Sequence, residues 1–189
     1  GYKRQAQEEL RKVGSGFGGG WLAGVPEQAR RAEDLGYDFA STPETSHDSM
    51  LAATLAAANT QKPEVQTSVT IAFPRSPTVL AMEAWDIQHM SKGRFTLGLG
   101  SQVKGHNQNR FSVDWPGAPA TRMKEYIRML HAVWNSFRTG EKPDYVGKFY
   151  HFTIMTPNFH PGPIDYPEPT VGLALVGDAM ARVAGERAD

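Results

Sequence analysis

The sequence predicts an α/β fold built on a parallel sheet, and three observations lead there. Short apolar runs of strand character alternate with amphipathic helical stretches along most of the chain, the pattern of successive βαβ units. Hydrophobic residues make up 40% and charged residues 21%, enough apolar content for a packed core. At 189 residues the chain suits one domain, yet a complete (β/α)8 barrel takes roughly 250 residues. The residues leave two architectures open: a doubly wound open sheet, or about five βα units of a barrel.

The elements follow in order. Residues 1–11 read as a polar, helix-prone lead, and 12–189 as the domain. Residues 12–18 form a first strand weakened by glycines. A helix opens at Pro26, a residue suited to the first helical position. Its stripe is Val25, Ala29, Ala32 and Leu35, and Gly36 ends it. Residues 37–42 predict a second strand, 49–59 an alanine-rich helix, and 65–73 a third strand. Ser76-Pro77 opens a third helix with Leu80, Ala84 and Ile87 on one face. Residues 94–100 predict a fourth strand. The clearest helix spans 120–137, with Met123, Tyr126, Leu130, Val133, Trp134 and Phe137 spaced for a core. Residues 145–155 suggest a hairpin and 157–169 a proline-rich loop. A fifth strand at 170–176 and a helix from Asp178 complete the pattern.

Several functions are disfavoured. Twenty Lys and Arg balance twenty Asp and Glu, so the basic surplus of a sequence-independent nucleic-acid binder is missing. No run approaches the ~18–20 apolar residues of a membrane span, and the opening residues lack a secretory-signal pattern. Absence of cysteine removes disulfides, thiolate nucleophiles and Cys-ligated metals. His47, Asp48 and His106 lack paired metal-ligand spacing, so no metal site is expected. The expectation is a cytoplasmic protein acting on a small molecule.

Gly14-Ser15-Gly16-Phe17-Gly18-Gly19 fits G-x-G-x-x-G, with Asp38 about 20 residues on where a ribose-binding acid would stand. That mechanism needs a helix opening at the third glycine, and the helix signal here waits until Pro26. A strand and loop with close backbone packing is the preferred reading.

The third and fourth strands carry more information. Alternation puts Val69, Ile71 and Phe73 on one face of the third, opposite Gln66, Ser68 and Thr70. In the fourth, Phe95, Leu97 and Leu99 oppose Thr96, Gly98 and Gly100. Strands buried on both faces of a parallel sheet should read as continuous apolar runs. The small, hydroxyl-bearing face would instead line a hollow for a flat ligand, or fill a tapering barrel interior. Polar groups cluster after the strand ends: Glu44 to Asp48, Arg75-Ser76, Ser101 to Asn107, and Gly177-Asp178. Ligands bind at these ends in both architectures. Glu44 and His47 are the candidate acid and base.

Five segments, taken in order, resemble one family, the bacterial luciferase-like flavin and deazaflavin (coenzyme F420) oxidoreductases. They are Ala32-Glu33-Asp34-Leu35-Gly36-Tyr37-Asp38, Thr67-Ser68-Val69-Thr70 with Arg75-Ser76-Pro77, Met90 through Gly100, Gly147 through Phe152, and Val183 through Asp189. The resemblance implies a (β/α)8 TIM-type barrel of which about five units are present, the C-terminal part being missing as in a fragment or a truncated member. It implies an oxidoreductase moving hydride between coenzyme F420 and a small organic substrate, commonly as a homodimer. The alternatives are an FMN-dependent monooxygenase, or a non-catalytic truncated barrel serving cofactor binding or assembly. Glu44 and His47 would be catalytic. Ser68, Val69, Thr70, Gly98, Gly100, Ser101, Val176 and Gly177 would hold the cofactor, with a non-proline cis peptide at Ser68–Val69. An acid that some members carry after the fourth strand is absent here, where Gln102 and Val103 stand.

Overall fold

The computed structural model describes residues 12–17, 20–175 and 177–187. The main sheet contains β1 (Gly14–Gly16), β2 (Phe39–Thr42), β3 (Glu64–Thr67), β4 (Thr70–Ile71), β5 (Phe95–Gly100) and, after a hairpin of β6 (Tyr145–Val146) and β7 (His151–Phe152), β8 (Thr170–Leu173). The helices are α1 (Val25–Asp34), α2 (Ser49–Ala58), α3 (Pro77–Met90), α4 (Lys104–Asn109), α5 (Pro119–Thr139) and α6 (Asp178–Arg187). β1 pairs with β2, β2 with β3, β3 and β4 both with β5, and β5 with β8, every pair parallel. Spatial order thus follows chain order without reversal. A doubly wound sheet reverses at its switch point, so this is the arc of a barrel.

Packing explains the order. Ala40, Val65, Phe95, Leu97, Leu99 and Val171 point to the helical layer and are at most 1% exposed. The whole predicted α5 stripe, Met123 through Phe137, is fully buried against this layer. Trp134 is fixed by its indole N–H donating to the Ala81 carbonyl at 3.0 Å. Each deeply buried aromatic removes about 150–250 Å² from water; the α5 face is therefore a main source of stability. Asp48 caps α2, accepting from the Met50 and Leu51 N–H groups at 2.8 and 3.0 Å.

The structure corrects several expectations. Leu35 follows the last turn of α1 and is 66% exposed, off the core stripe. Ser76 precedes α3 but its hydroxyl makes no capping bond. α4 was not anticipated; six residues with no apolar stripe give no periodic signal. The Asp38 carboxylate accepts from the Val13 N–H at 2.8 Å, tying the first two strands together. Among the described residues a 3-10 turn opens at Leu22 and α1 at Val25, past the cluster rather than at its third glycine, and Gly18 and Gly19 lie outside the described residues. The dinucleotide reading has no structural basis left.

The third strand is the largest correction. Gln66 stands opposite Thr96, but Thr70 stands opposite Leu99. Four steps on one strand face three on the other, so one extra residue is accommodated between β3 and β4. Such a bulge inverts the alternation beyond it. Thr70 consequently turns to the helices, and Val69 and Ile71 turn inward. The Ser68–Val69 peptide within this break is cis, at the position the family resemblance indicated.

The hairpin is anchored by Glu125, whose carboxylate accepts from the Phe149 and Tyr150 N–H groups at 2.6 and 2.7 Å. Among the described residues no helix is long and apolar enough to cross a membrane. The segment leading to β8 is held to α5 by His131 and Glu168, 2.8 Å apart. That hydrogen bond keeps the Glu168 carboxyl below its ordinary range, against an opposing effect of partial burial. A carboxyl depressed on folding adds stability above its unfolded value of about 4.3 and loses it as pH falls through the folded value. Glu168→Gln is expected to lower stability in the neutral region, where the depressed carboxyl contributes, and to flatten the acid limb below about pH 4.3, the two profiles converging at low pH. Parallel profiles for variant and wild type would refute this.

Candidate active site

A cleft of about 560 Å³ opens at the C-terminal ends of the strands, within the roughly 300–1,000 Å³ usual for small-molecule sites. Its walls come from the segment after β2 (Pro43 to Thr45), the β3–β4 break and strand end (Ser68, Val69, Ile71), the segment after β5 (Gly100 to Lys104), and Trp115, Pro119, Ala174 and Met180. The barrel geometry explains the convergence, since loops that leave parallel strands gather at one mouth.

Val69 and Ile71 make an apolar floor. An ideal Cβ on Gly100 would lie 2.6 Å from Val69 Cγ2, so the missing side chain is what lets the two strands close beneath the cleft. Ile71 is bracketed by an ion pair. Its N–H donates to Glu44 Oε2 at 2.8 Å, and its carbonyl accepts from Arg75 Nη1 at 2.9 Å. Among the described residues β4 pairs only with β5, because β2 has ended at Thr42 and Pro43 has no N–H to offer. The pair thus stands in for a missing strand neighbour.

Glu44 is fully engaged. It meets Arg75 Nη1 at 2.8 Å, accepts from Ser49 Oγ at 3.2 Å, and its side chain is 8% exposed. Arg75 Nη2 also meets Asp48 Oδ2 at 2.5 Å. Burial pulls the guanidinium pKa down, but the hydrogen bond and charge of Glu44, with those of Asp48, more than restore it. Glu83 lies in the same field, and burial pushes its carboxyl up.

The structure brings Glu44, Ser68, Val69, Gly100 and Ser101 to one cleft. Thr70 is not among them: its hydroxyl pairs with Ser49 Oγ at 2.9 Å on the helical side. Gly98 lies deeper, where the Thr67 carbonyl oxygen comes within 1.9 Å of an ideal Cβ. His47 stands outside the lining, its ring 5.2 Å from that of Trp21. Gly177 has φ +84° at the start of α6 and does not line the cleft; Val176 lies outside the described residues. Sequence reasoning missed Ile71 and Trp115 as wall residues, and Arg75 and Asn107 as supports. Buried Asn107 donates to the Ser101 and Val103 carbonyls at 2.9 and 3.1 Å, holding the loop after β5. Arg75 could have been found from its place beside Glu44 among the strand-end polar residues; Trp115, in an aperiodic loop, had no such signal.

The family model described as luciferase-like monooxygenase matches residues 10–189. The chain belongs to this family. An uncharacterized protein of Mycobacterium tuberculosis is 44% identical over 172 residues, covering 87% of this chain and 50% of that protein. Another from the same organism, provisionally named a coenzyme F420-dependent oxidoreductase, is 34% identical over 125 residues, covering 61% of this chain and 35% of that one. Among solved structures, an F420-dependent secondary alcohol dehydrogenase bound to an F420–acetone adduct superposes with a TM-score of 0.78 at 20% identity, covering 94% of this chain and 56% of that one. The FMN-bound oxygenating constituent of 3,6-diketocamphane monooxygenase from Pseudomonas putida gives 0.73 at 17%, covering 93% and 55%. The chain spans about half the length of the curated relatives it matches. These likenesses agree with the partial-barrel architecture of this luciferase-like chain.

Proposed function

We propose that this luciferase-like chain contributes the substrate-facing half of an oxidoreductase site that uses coenzyme F420. The observation that carries the reading is the floor of the cleft. Val69 and Ile71 are presented by the β3–β4 break to the cleft, with Gly100 closed against Val69 because it carries no Cβ. These residues fit a planar ring, and the 34% identical relative favours the deazaflavin over FMN. When bound, F420 supplies or accepts a hydride.

The chain's own residues do the rest. Val69 and Ile71 support one face of the ring and exclude water from it. Glu44 and Arg75 keep that floor in register; with its acceptor sites occupied, Glu44 is a positioning residue. His47 has a ring contact with Trp21 but no hydrogen bond to the described residues; it lies just outside the lining, two residues after the wall residue Thr45, and exchanges a proton with substrate by turning its ring from Trp21 toward the cleft. Trp115 and Met180 give the substrate side an apolar wall.

Fluorescence and absorbance titration of the intact protein with F420 and FMN tests the reading. F420 should bind in the micromolar range or tighter, and FMN at least about tenfold more weakly, a difference of about 1.4 kcal/mol. His47→Asn should lower turnover by about 10²–10⁴ without weakening F420 binding. Tighter binding of FMN would reassign the protein to its monooxygenase relatives. Failure to bind either would remove the enzyme reading.

A further inference from the structure

The charges at the mouth of the cleft are unevenly compensated. Lys104 lines the cleft, and its ammonium makes no ion pair or hydrogen bond with any described residue. Arg110, at the end of the same short helix, donates to the carbonyl of Thr45, another wall residue, at 2.8 Å and lies 4.9 Å from the Phe111 ring centroid. A carbonyl and an aromatic ring orient a guanidinium without neutralising it. The opposing charges are already committed. Glu44 and Asp48 are bound to Arg75, and Asp48 also caps the positive end of α2. Glu83, the other acid in that network, has its carboxyl pushed up by burial.

A cation in a cleft wall without a counter-ion gains most when a ligand brings the anion, because that pair is partly shielded from solvent once the cleft fills. We propose that Lys104 and Arg110 form an anion-binding rim, and that the molecule occupying the cleft carries a phosphate or carboxylate at this edge. The inference rests on the cleft being a ligand site, as argued above, and deepens it. The anion has two possible sources: the phosphate-bearing tail of the cofactor, or an acidic group on the substrate.

The test uses the intact protein and its Lys104→Gln, Lys104→Arg and Arg110→Gln variants, with Lys62→Gln as a control at the opposite end of the strands. Binding of F420 and of its tail-free deazaflavin core is followed by fluorescence. Binding of octanoate and of octanol is followed by calorimetry, with and without F420. If the rim holds the cofactor tail, Lys104→Gln weakens F420 about tenfold, the strength of one charge-assisted bond. The core then binds equally to all variants, and Lys104→Arg restores most of the affinity. If the rim holds substrate, F420 is unaffected, and octanoate loses about tenfold while octanol does not. Either loss should shrink as salt rises, because the rim is exposed. Unchanged binding of both F420 and octanoate in Lys104→Gln and Arg110→Gln would overturn the proposal even if F420 binds. Absence of F420 binding to the wild type would instead sink the cofactor reading, leaving the octanoate arm to decide the rim.

Discussion

Glu44→Ala is expected to cost about 1–3 kcal/mol of folding stability, the penalty for leaving buried donors unsatisfied, because Arg75 keeps Asp48 as an ionic partner. The side chains of Arg75 and Glu44 are 18% and 8% exposed, so water can repair little. The loss also strips an acceptor from the Ile71 N–H, which has no strand partner to replace it. Glu44→Gln keeps a carbonyl acceptor at that place and should cost clearly less. The double variant Glu44→Ala with Arg75→Met should cost less than the sum of its single changes, because each single change already removes the shared Glu44–Arg75 contact. Urea unfolding of the wild type, the three single variants and the double variant measures all of this. F420 titration should show weaker binding in Glu44→Ala even under conditions where it stays folded, since Val69 and Ile71 lose their register. A change within about 0.5 kcal/mol, ordinary for a surface site, would mean that the pair does not hold the floor.

Gly98→Ala should be more damaging than its single methyl suggests. An ideal Cβ there lies 1.9 Å from the Thr67 carbonyl oxygen, and that obstacle is backbone. Relief requires β5 to move away from β3 beside the extra residue, where Thr67 Oγ1 also donates to the Gly98 carbonyl at 2.8 Å. Overpacking of a core usually costs about 1–3 kcal/mol, and a clash with main chain on a central strand belongs at or beyond the upper end. Gly172→Ala is the matched control: its nearest obstacle is the Gly98 Cα at 3.7 Å, an ordinary contact. Thermal unfolding should show a large fall for Gly98→Ala and a small one for Gly172→Ala. Equal effects would show that the close approach of Thr67 is not what requires glycine at 98.

The contrast between these positions shows what can be read from a linear chain. The α5 stripe was legible because about four turns of a single period leave few alternatives, and every residue from Met123 to Phe137 assigned to it is buried. The inward face of small residues was legible as far as Gln66 for the same reason, a period of two. Of the residues that the resemblance assigned to the site, Glu44, Ser68, Val69, Gly100 and Ser101 line the cleft, whereas His47, Thr70, Gly98 and Gly177 do not. Roles were less legible than places. Glu44 looks like an acid or base in sequence because its type allows that chemistry, and only the position of Arg75 shows that its oxygens are engaged.

Local patterning alone determined that this protein alternates strands and helices, where most of them lie, and which faces are apolar. Tertiary structure decided the rest. Strand order separated the barrel arc from the doubly wound sheet, because both have the same local pattern and differ only in which strands pair. The extra residue between Gln66 and Thr70 turned Thr70 to the helices and Ile71 to the cleft. Register belongs to two strands at once, and no period measured along one of them records it.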